Sequence, residues 1–549
     1  MLVMRPVFAA LAGRDCAGRG RRCARGERVG GRPPSWGVCV YGRVLFLAGA
    51  TWLIPEAASG QGIDDAIDRW FAWATGWFVD FVFSTFPGTG IPWIVGWLVL
   101  AAAVFTVYFG FIQFRAFGHA VAIVLGRYSD PRHAGEVSHF QALTAALSGT
   151  VGLGNIAGVA VAVSIGGAGA TFWMIVAGLL GMASKFTECT LGVKYRNEYP
   201  DGSVSGGPMY YISKGFAERG LPLGGLMAIL FAVFCVLGSL GGGNMFQANQ
   251  AASQVQTVFG IPTWITGLAL AGVVFAVIVG GIRSIARVTA KVVPFMGVGY
   301  VLVSVLVLWR HGDMIPWALG EILRGAITDT GIAGGIVGAI IQGFRRAAFS
   351  NEAGVGSAAI AHSAVRTSEP VTEGFVSLLE PFIDTVVICT MTALVIIITQ
   401  QLLIDPETGR YILDAAGRIA TASGATGGVP ITSAAFGSAF SWAPLALAIA
   451  VVLFAFSTII TWGYYGMKAW TYLFGEGRTR ELVFKVIFCG FVFVGAVSSL
   501  DAVIDFSDAA IFAMALVNVV ALYVLMPIVR RELHGYLQRL AAGEIRRAG

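Results

Sequence analysis

Charge is what this 549-residue chain has least of: 12% of its residues are Asp, Glu, Lys or Arg, against 56% that are apolar. Soluble domains carry about 25% charged residues. Here apolar runs long enough to cross a bilayer follow one another with few charges between them. One water-soluble core cannot absorb them, so the composition predicts an all-α polytopic membrane protein. Histidine is scarce, six in all, and the seven cysteines never fall into a CxxC spacing. Neither a zinc site nor a disulfide framework is indicated, and the cysteines within the apolar runs read as small packing residues. HExxH and GxSxG are also missing, which argues against a membrane hydrolase. No rings of like charge suggest a passive channel. The net charge of +6 is local: residues 1–43 hold nine Arg against Asp15 and Glu27, a balance of +7 that leaves −1 for the rest. The basic character therefore implies no nucleic-acid partner.

Residues 1–42 are rich in Arg, Gly and Pro and lack apolar periodicity. Arg43, a short apolar run and Glu56-Ala57-Ala58-Ser59-Gly60 are the parts of a secretory signal peptide. Translation is then expected to begin near residues 38–44, with processing near Ala58 and residues 1–62 absent from the mature chain; a disordered tail plus an extra anchor is the alternative. Residues 63–88 read as an amphipathic interfacial helix, with Asp64, Asp65 and Asp68 on one face and Trp70, Phe71, Trp73 and Trp77 for the interface. A transport domain over 89–530 and a basic tail over 531–549 complete the organisation.

Apolar runs predict about eleven membrane helices, near 89–114, 138–165, 168–193, 222–259, 262–281, 288–309, 331–362, 371–399, 434–472, 481–499 and 503–529. Every second loop is basic: Arg115, Arg127 and Arg132; Lys194, Arg196, Lys214 and Arg219; Arg283, Arg287 and Lys291; Arg366; Arg478 and Arg480; and the C-terminal Arg530, Arg531, Arg539, Arg546 and Arg547. Opposite loops are neutral or acidic, with Asp501, Asp505 and Asp508 in one and Asp405, Glu407 and Asp414 in another. The positive-inside rule makes the basic side cytoplasmic. The expected location is a bacterial inner membrane, N-terminus outside and C-terminus inside, with no obligate protein partner evident.

Two Gly-rich clusters interrupt the apolar runs at mid-membrane depth: Gly149-Thr150-Val151-Gly152-Leu153-Gly154-Asn155 and Phe349-Ser350-Asn351-Glu352-Ala353-Gly354-Val355-Gly356-Ser357. Polar, irregular backbone is tolerated there only when buried in protein or lining a cavity. Each cluster opens a run of five spans, and an odd number inverts the second run relative to the first. Discontinuous first helices in two inverted halves point to a transporter's central binding site. The positive end of a half-helix favours a carboxylate, and unwound carbonyls favour Na+ or an ammonium group.

At these residues the chain resembles the alanine or glycine:cation symporter family, also called sodium:alanine symporters. The stretches that carry the resemblance are GTVGLGNIAGVA (149–160), GGPMYYI (206–212), GGGNMFQANQ (241–250), FSNEAGVGSA (349–358) and STIITWGYYG (457–466). The resemblance implies the broken-helix amino-acid transporter fold with one extra leading helix, and secondary active symport of alanine or glycine with a cation, Na+ first. Relatives commonly carry Thr where this chain has Leu153, so a hydroxyl contact is missing there.

Gly152, Gly154 and Asn155 would hold a zwitterionic substrate, the glycines through exposed backbone. Asn244, Gln247 and Gln250 are three apart on one helical face, where amides suit the polar ends of a ligand or helix–helix bonding; the resemblance implies Gln247, and then Gln250, as substrate contacts. The resemblance implies Na+ binding by Ser457 or Thr458 with carbonyls near Val151; hydroxyls bonded back to their own helix are the alternative. Thr458 also borders the substrate candidates, and Trp462 would wall the pocket. Asn351, Glu352, Gly354 and Gly356 are expected to support the second half-helix or gate it. Glu380 and Asp384, four apart, would repel unless protonated or cation-paired, which opens H+ coupling as the rival to Na+. Lys185 and Glu188 read as a structural ion pair.

Overall fold

The computed structural model describes residues 63–545, without 89, 129–132, 201, 329–334, 406, 408, 409, 415–417 and 426. The signal-peptide-like segment lies outside the described residues, as do Arg132, Arg546 and Arg547, and so do the side chains of Asp64, Asp65, Asp68, Trp70 and Phe71.

In hydrocarbon each segment has to pair its own N–H and C=O groups, which makes helix the default. Each apolar run holds helix. Strands among the described residues are confined to one antiparallel pair, Asn197–Glu198 with Val204–Ser205. Among the described residues, six helices are long and apolar enough to cross a membrane unaided: Gly169–Lys194, Gly224–Phe259, Gly281–Arg310, Pro370–Ile398, Ala443–Phe474 and Leu500–Ala541. A seventh crossing comes in two pieces, His139–Thr150 and Gly154–Gly166, bent by 50°. Trp93–Tyr108 and Thr263–Ile278 are shorter apolar helices. The remaining two runs are Gly335–Asn351 followed by Ala358–His362, and Arg478–Val497. Charges dilute their apolar character: Arg345 and Arg346 in one, Arg478, Arg480, Glu481 and Lys485 in the other. The chain is an all-helical, multi-pass membrane protein with a broken helix.

Some boundaries differ from the sequence reading. The ninth run contains a separate helix, Val429–Ala439, before Ala443–Phe474 begins; Pro444 at the start of the latter resets the chain. Asp501, Asp505 and Asp508 are helical, within Leu500–Ala541, and Asp508 is buried rather than in an outer loop. Arg283, Arg287 and Lys291 likewise ride on the first turns of Gly281–Arg310. The helix at 63–88 ends at Val82 and leaves Trp73 and Trp77 exposed.

Burial puts the two broken helices at the centre. Almost all of His139–Gly166 is buried, packed against Ala443–Phe474, Gly281–Arg310 and Gly335–Asn351. Gly281–Arg310 turns Phe295, Val298 and Leu302 outward, as a lipid-facing helix would.

Candidate substrate and cation site

The first broken helix starts with a capping box between Ser138 and Gln141, and its ladder runs to the Val151 N–H, which donates to Leu147 at 2.7 Å. The next two N–H groups leave the ladder. Gly152 donates to Asn155 Oδ1 at 2.8 Å, and Leu153 to Gln247 Oε1 at 2.9 Å. The donors that would continue to the Ser148 and Gly149 carbonyls are thus drawn to side-chain oxygens. A wide π-helical turn, Gly154–Gly158, restarts the helix. Gly152 is required by close approach: a Cβ there would lie 2.4 Å from Thr458 Oγ1 and 3.0 Å from Gln247 Oε1.

Thr458 and Ser457 play different parts although they are adjacent. The Thr458 hydroxyl is buried and has no hydrogen-bond partner among the described residues. Ser457 Oγ bonds back to the Phe454 carbonyl at 3.0 Å, while the Ser457 carbonyl accepts Ser148 Oγ at 2.7 Å. Of the two hydroxyls, that of Thr458 is the one set against the break, beside Gly152.

In the second break the helix Gly335–Asn351 ends at Glu352, a non-glycine residue in left-handed backbone at φ 55°. Gly354 and Gly356 follow at φ 84° and 94°. Glu352 accepts from Trp462 Nε1 at 3.0 Å and from the Ser357 hydroxyl. Asn351 donates to Thr385 Oγ1 at 2.9 Å, and Asn518 holds the Gly354 carbonyl at 2.9 Å. Trp462 packs closely against the Gly241–Met245 turn: a Cβ on Gly243 would sit 2.2 Å from its Cγ.

One carboxylate joins the two breaks. Asp384 accepts from Asn155 of the first break at 2.6 Å, from Ser350 of the second at 2.9 Å, and from Thr385 at 2.7 Å. It is fully buried, and its side-chain partners among the described residues are neutral. Glu380 does not share this role. A π-helical segment, Phe382–Cys389, intervenes, and Glu380 pairs instead with Lys185 at 3.2 Å and His362 at 2.5 Å. The expected Glu380–Asp384 repulsion is thereby relieved by separate partners. Lys185 reaches Glu188 only at 3.8 Å.

The predicted residues do not all converge. Gly152, Gly154, Asn155, Gln247 and Thr458 meet at the first break, and Gly154 also abuts Ser350 of the second. Gln250 is elsewhere: it accepts the Val429 N–H at 3.0 Å and donates to Asn249, capping the start of Val429–Ala439. Asn244 bonds the Phe488 carbonyl at 2.7 Å. A π-helical turn at Gly241–Met245 carries Asn244, so the three-residue spacing does not bring these amides onto one partner. Sequence reasoning missed Ser350 and Thr385 as partners of Asp384, and Arg346, which forms a buried pair with Asp508 and stacks on Phe349. Ionisable residues inside apolar runs were the available signal.

Comparison with known proteins settles the family. Residues 77–548 match the sodium:alanine symporter family. The chain belongs to it. A sodium/alanine symporter of Methanococcus maripaludis, AgcS, is 39% identical over 79% of this chain and 92% of its own length. The amino-acid carrier protein AlsT of Bacillus subtilis is 32% identical over 80% of this chain and 88% of its own. Among solved structures, MhsT in complex with L-phenylalanine aligns with 70% of this chain and 89% of its own at 15% identity, with a TM-score of 0.47. This member of the sodium:alanine symporter family is a cation-coupled amino-acid symporter, not an enzyme.

Proposed function

We propose that the chain imports a small neutral amino acid, alanine or glycine, down an inward Na+ gradient by alternating access around the two breaks. One observation carries the reading. At the first break two N–H groups are diverted from the Ser148 and Gly149 carbonyls, and the buried Thr458 hydroxyl without a partner comes close enough to Gly152 to exclude a side chain. Carbonyl and hydroxyl oxygens are the hard donors an alkali cation takes. Na+ binds there through Thr458 and carbonyls from Ser148 to Val151, with the Ser457 hydroxyl outside the shell. The substrate carboxylate lies at the positive end of the Gly154–Gly166 half-helix, beside Asn155 and Gln247. Trp462, pinned by Glu352, limits the side chain to a small one.

Supporting the Na+ reading, Glu380 pairs with Lys185 and His362 rather than with Asn155, Ser350 or Thr385, the groups of the two breaks that take Asp384. Proton coupling then rests on Asp384, the carboxylate met by neutral donors alone. The basic loops put the C-terminus in the cytoplasm, and the exposed Trp73 and Trp77 suit a helix lying at the opposite interface. The test is uptake of labelled alanine and glycine into proteoliposomes with Na+ and H+ gradients imposed separately. Accumulation under Na+ alone supports the reading; accumulation under H+ alone moves the coupling to Asp384.

A further inference from the structure

A line of ionisable side chains outside the candidate site runs through the protein. His139 Nδ1 meets Glu373; Glu373 also meets His362 Nδ1; His362 Nε2 meets Glu380 at 2.5 Å; and Glu380 meets Lys185 at 3.2 Å. All five are buried. The groups facing this line are Glu188 beside Lys185, Cys189 beside His362 and Glu380, and Arg196, which holds the Ser363 and Val365 carbonyls.

Its two histidines mark helix ends. His139 is the first residue of the first broken helix, and His362 is the last residue of Ala358–His362, the piece that follows the second break. The same ends are stitched by backbone bonds, Glu136 N–H to the Ala364 carbonyl at 2.7 Å and Arg366 N–H to the Val137 carbonyl at 2.9 Å. Glu373 joins the two imidazoles and thereby the two helices.

A neutral imidazole has one N–H and one lone pair. Set between two carboxylates, it would oppose a lone pair to an anion at one end. The His362 bridge is attractive at both ends only when it holds a further proton, on the ring or on one of the acids. We propose that this proton locks the His139 and His362 ends of the two broken helices together, and that its loss to water as those ends part frees them. His362 is a positioning residue whose protonation makes turnover pH-dependent. For its transport readout the inference rests on the symport reading; a second readout does not.

That second readout is amide hydrogen exchange of segments 139–146 and 358–366 in the full chain, at about pH 6 and about pH 9, with times scaled for intrinsic exchange. The wild type is expected to open at least about fivefold more readily at the higher pH, and H362Q to open equally at both. Equal wild-type protection at both pH values overturns the proposal, as does an H362Q protein that keeps the wild-type difference. Should H362Q fail to fold, the wild-type comparison decides alone. In proteoliposomes with equal pH on both sides, H362Q should flatten the pH profile of Na+-driven alanine uptake while changing the alanine KM less than about twofold; a retained wild-type profile contradicts the lock. A protein that exchanges as expected yet takes up no alanine overturns the symport reading and leaves the lock standing.

Discussion

The two breaks use one topological device with opposite chemistry. The first, around Gly152, is neutral: its diverted N–H groups are taken by Asn155 and Gln247, and the nearest hydroxyl, that of Thr458, has no partner. The second, around Glu352, is charged and closed: its carboxylate is used up by Trp462 and Ser357, and its neighbour Asn351 by Thr385. Spare donor capacity resides in the first break, and mechanical linkage in the second. A buried polar group left unpaired costs about 1–3 kcal/mol, and on the proposed reading bound Na+ takes up the open Thr458 hydroxyl. The second break, with both Glu352 oxygens and the Asn351 amide engaged, reads as a support whose job is to hold Trp462 and the half-helices in register.

The largest effect is expected from Gly152→Ala. A Cβ 2.4 Å from Thr458 Oγ1 has to displace the hydroxyl or the backbone, so cation-driven uptake should fall by about 100-fold or more while the protein still folds, as measured by transport and size-exclusion behaviour together. Retained uptake would mean that the close approach is packing alone.

Thr458→Val comes next. It keeps the shape and removes the oxygen, so the Na+ concentration for half-maximal uptake should rise by about tenfold, a loss of about 1.4 kcal/mol of binding. The adjacent Ser457→Ala should shift it by less than about twofold, because Ser457 bonds back to Phe454. Equal effects of the two variants would erase the distinction between neighbours.

Glu352→Gln tests the second break. The amide still accepts from one partner but brings an extra N–H to a group already surrounded by donors. We expect turnover to fall by about three- to tenfold with an unchanged Na+ requirement, and the amino-acid profile to widen as Trp462 loosens. A changed Na+ requirement would make this break part of the cation site. Gln250→Ala, at the start of Val429–Ala439, should have the smallest effect: a lower melting temperature with an alanine KM within about twofold of wild type.

Much of this contrast could be read before any fold was known. Gly and Asn in one apolar run, and Asn351-Glu352 between glycines in another, marked both breaks because such backbone is expensive in hydrocarbon. Which hydroxyl of Ser457-Thr458 is free could not be read, since it depends on a rotamer and on the helix packed opposite. Gln247 and Gln250 look alike by spacing, yet only Gln247 reaches Leu153: about 4.5 Å further along the regular helix Phe246–Phe259, Gln250 meets the start of Val429–Ala439 instead. Glu380 and Asp384 also look alike by spacing, and there a π-helical segment, Phe382–Cys389, changes the helical phase between them. The Asp384 partners Asn155 and Ser350 come from segments 229 and 34 residues away, and no local pattern encodes such pairing.

The most direct measurement is alanine accumulation in proteoliposomes under an imposed Na+ gradient at equal pH, wild type beside Thr458→Val. The account predicts uphill accumulation by the wild type and a half-maximal Na+ concentration raised by about tenfold in the variant. Accumulation that needs only an H+ gradient, or a Thr458→Val protein with wild-type Na+ dependence, would contradict it.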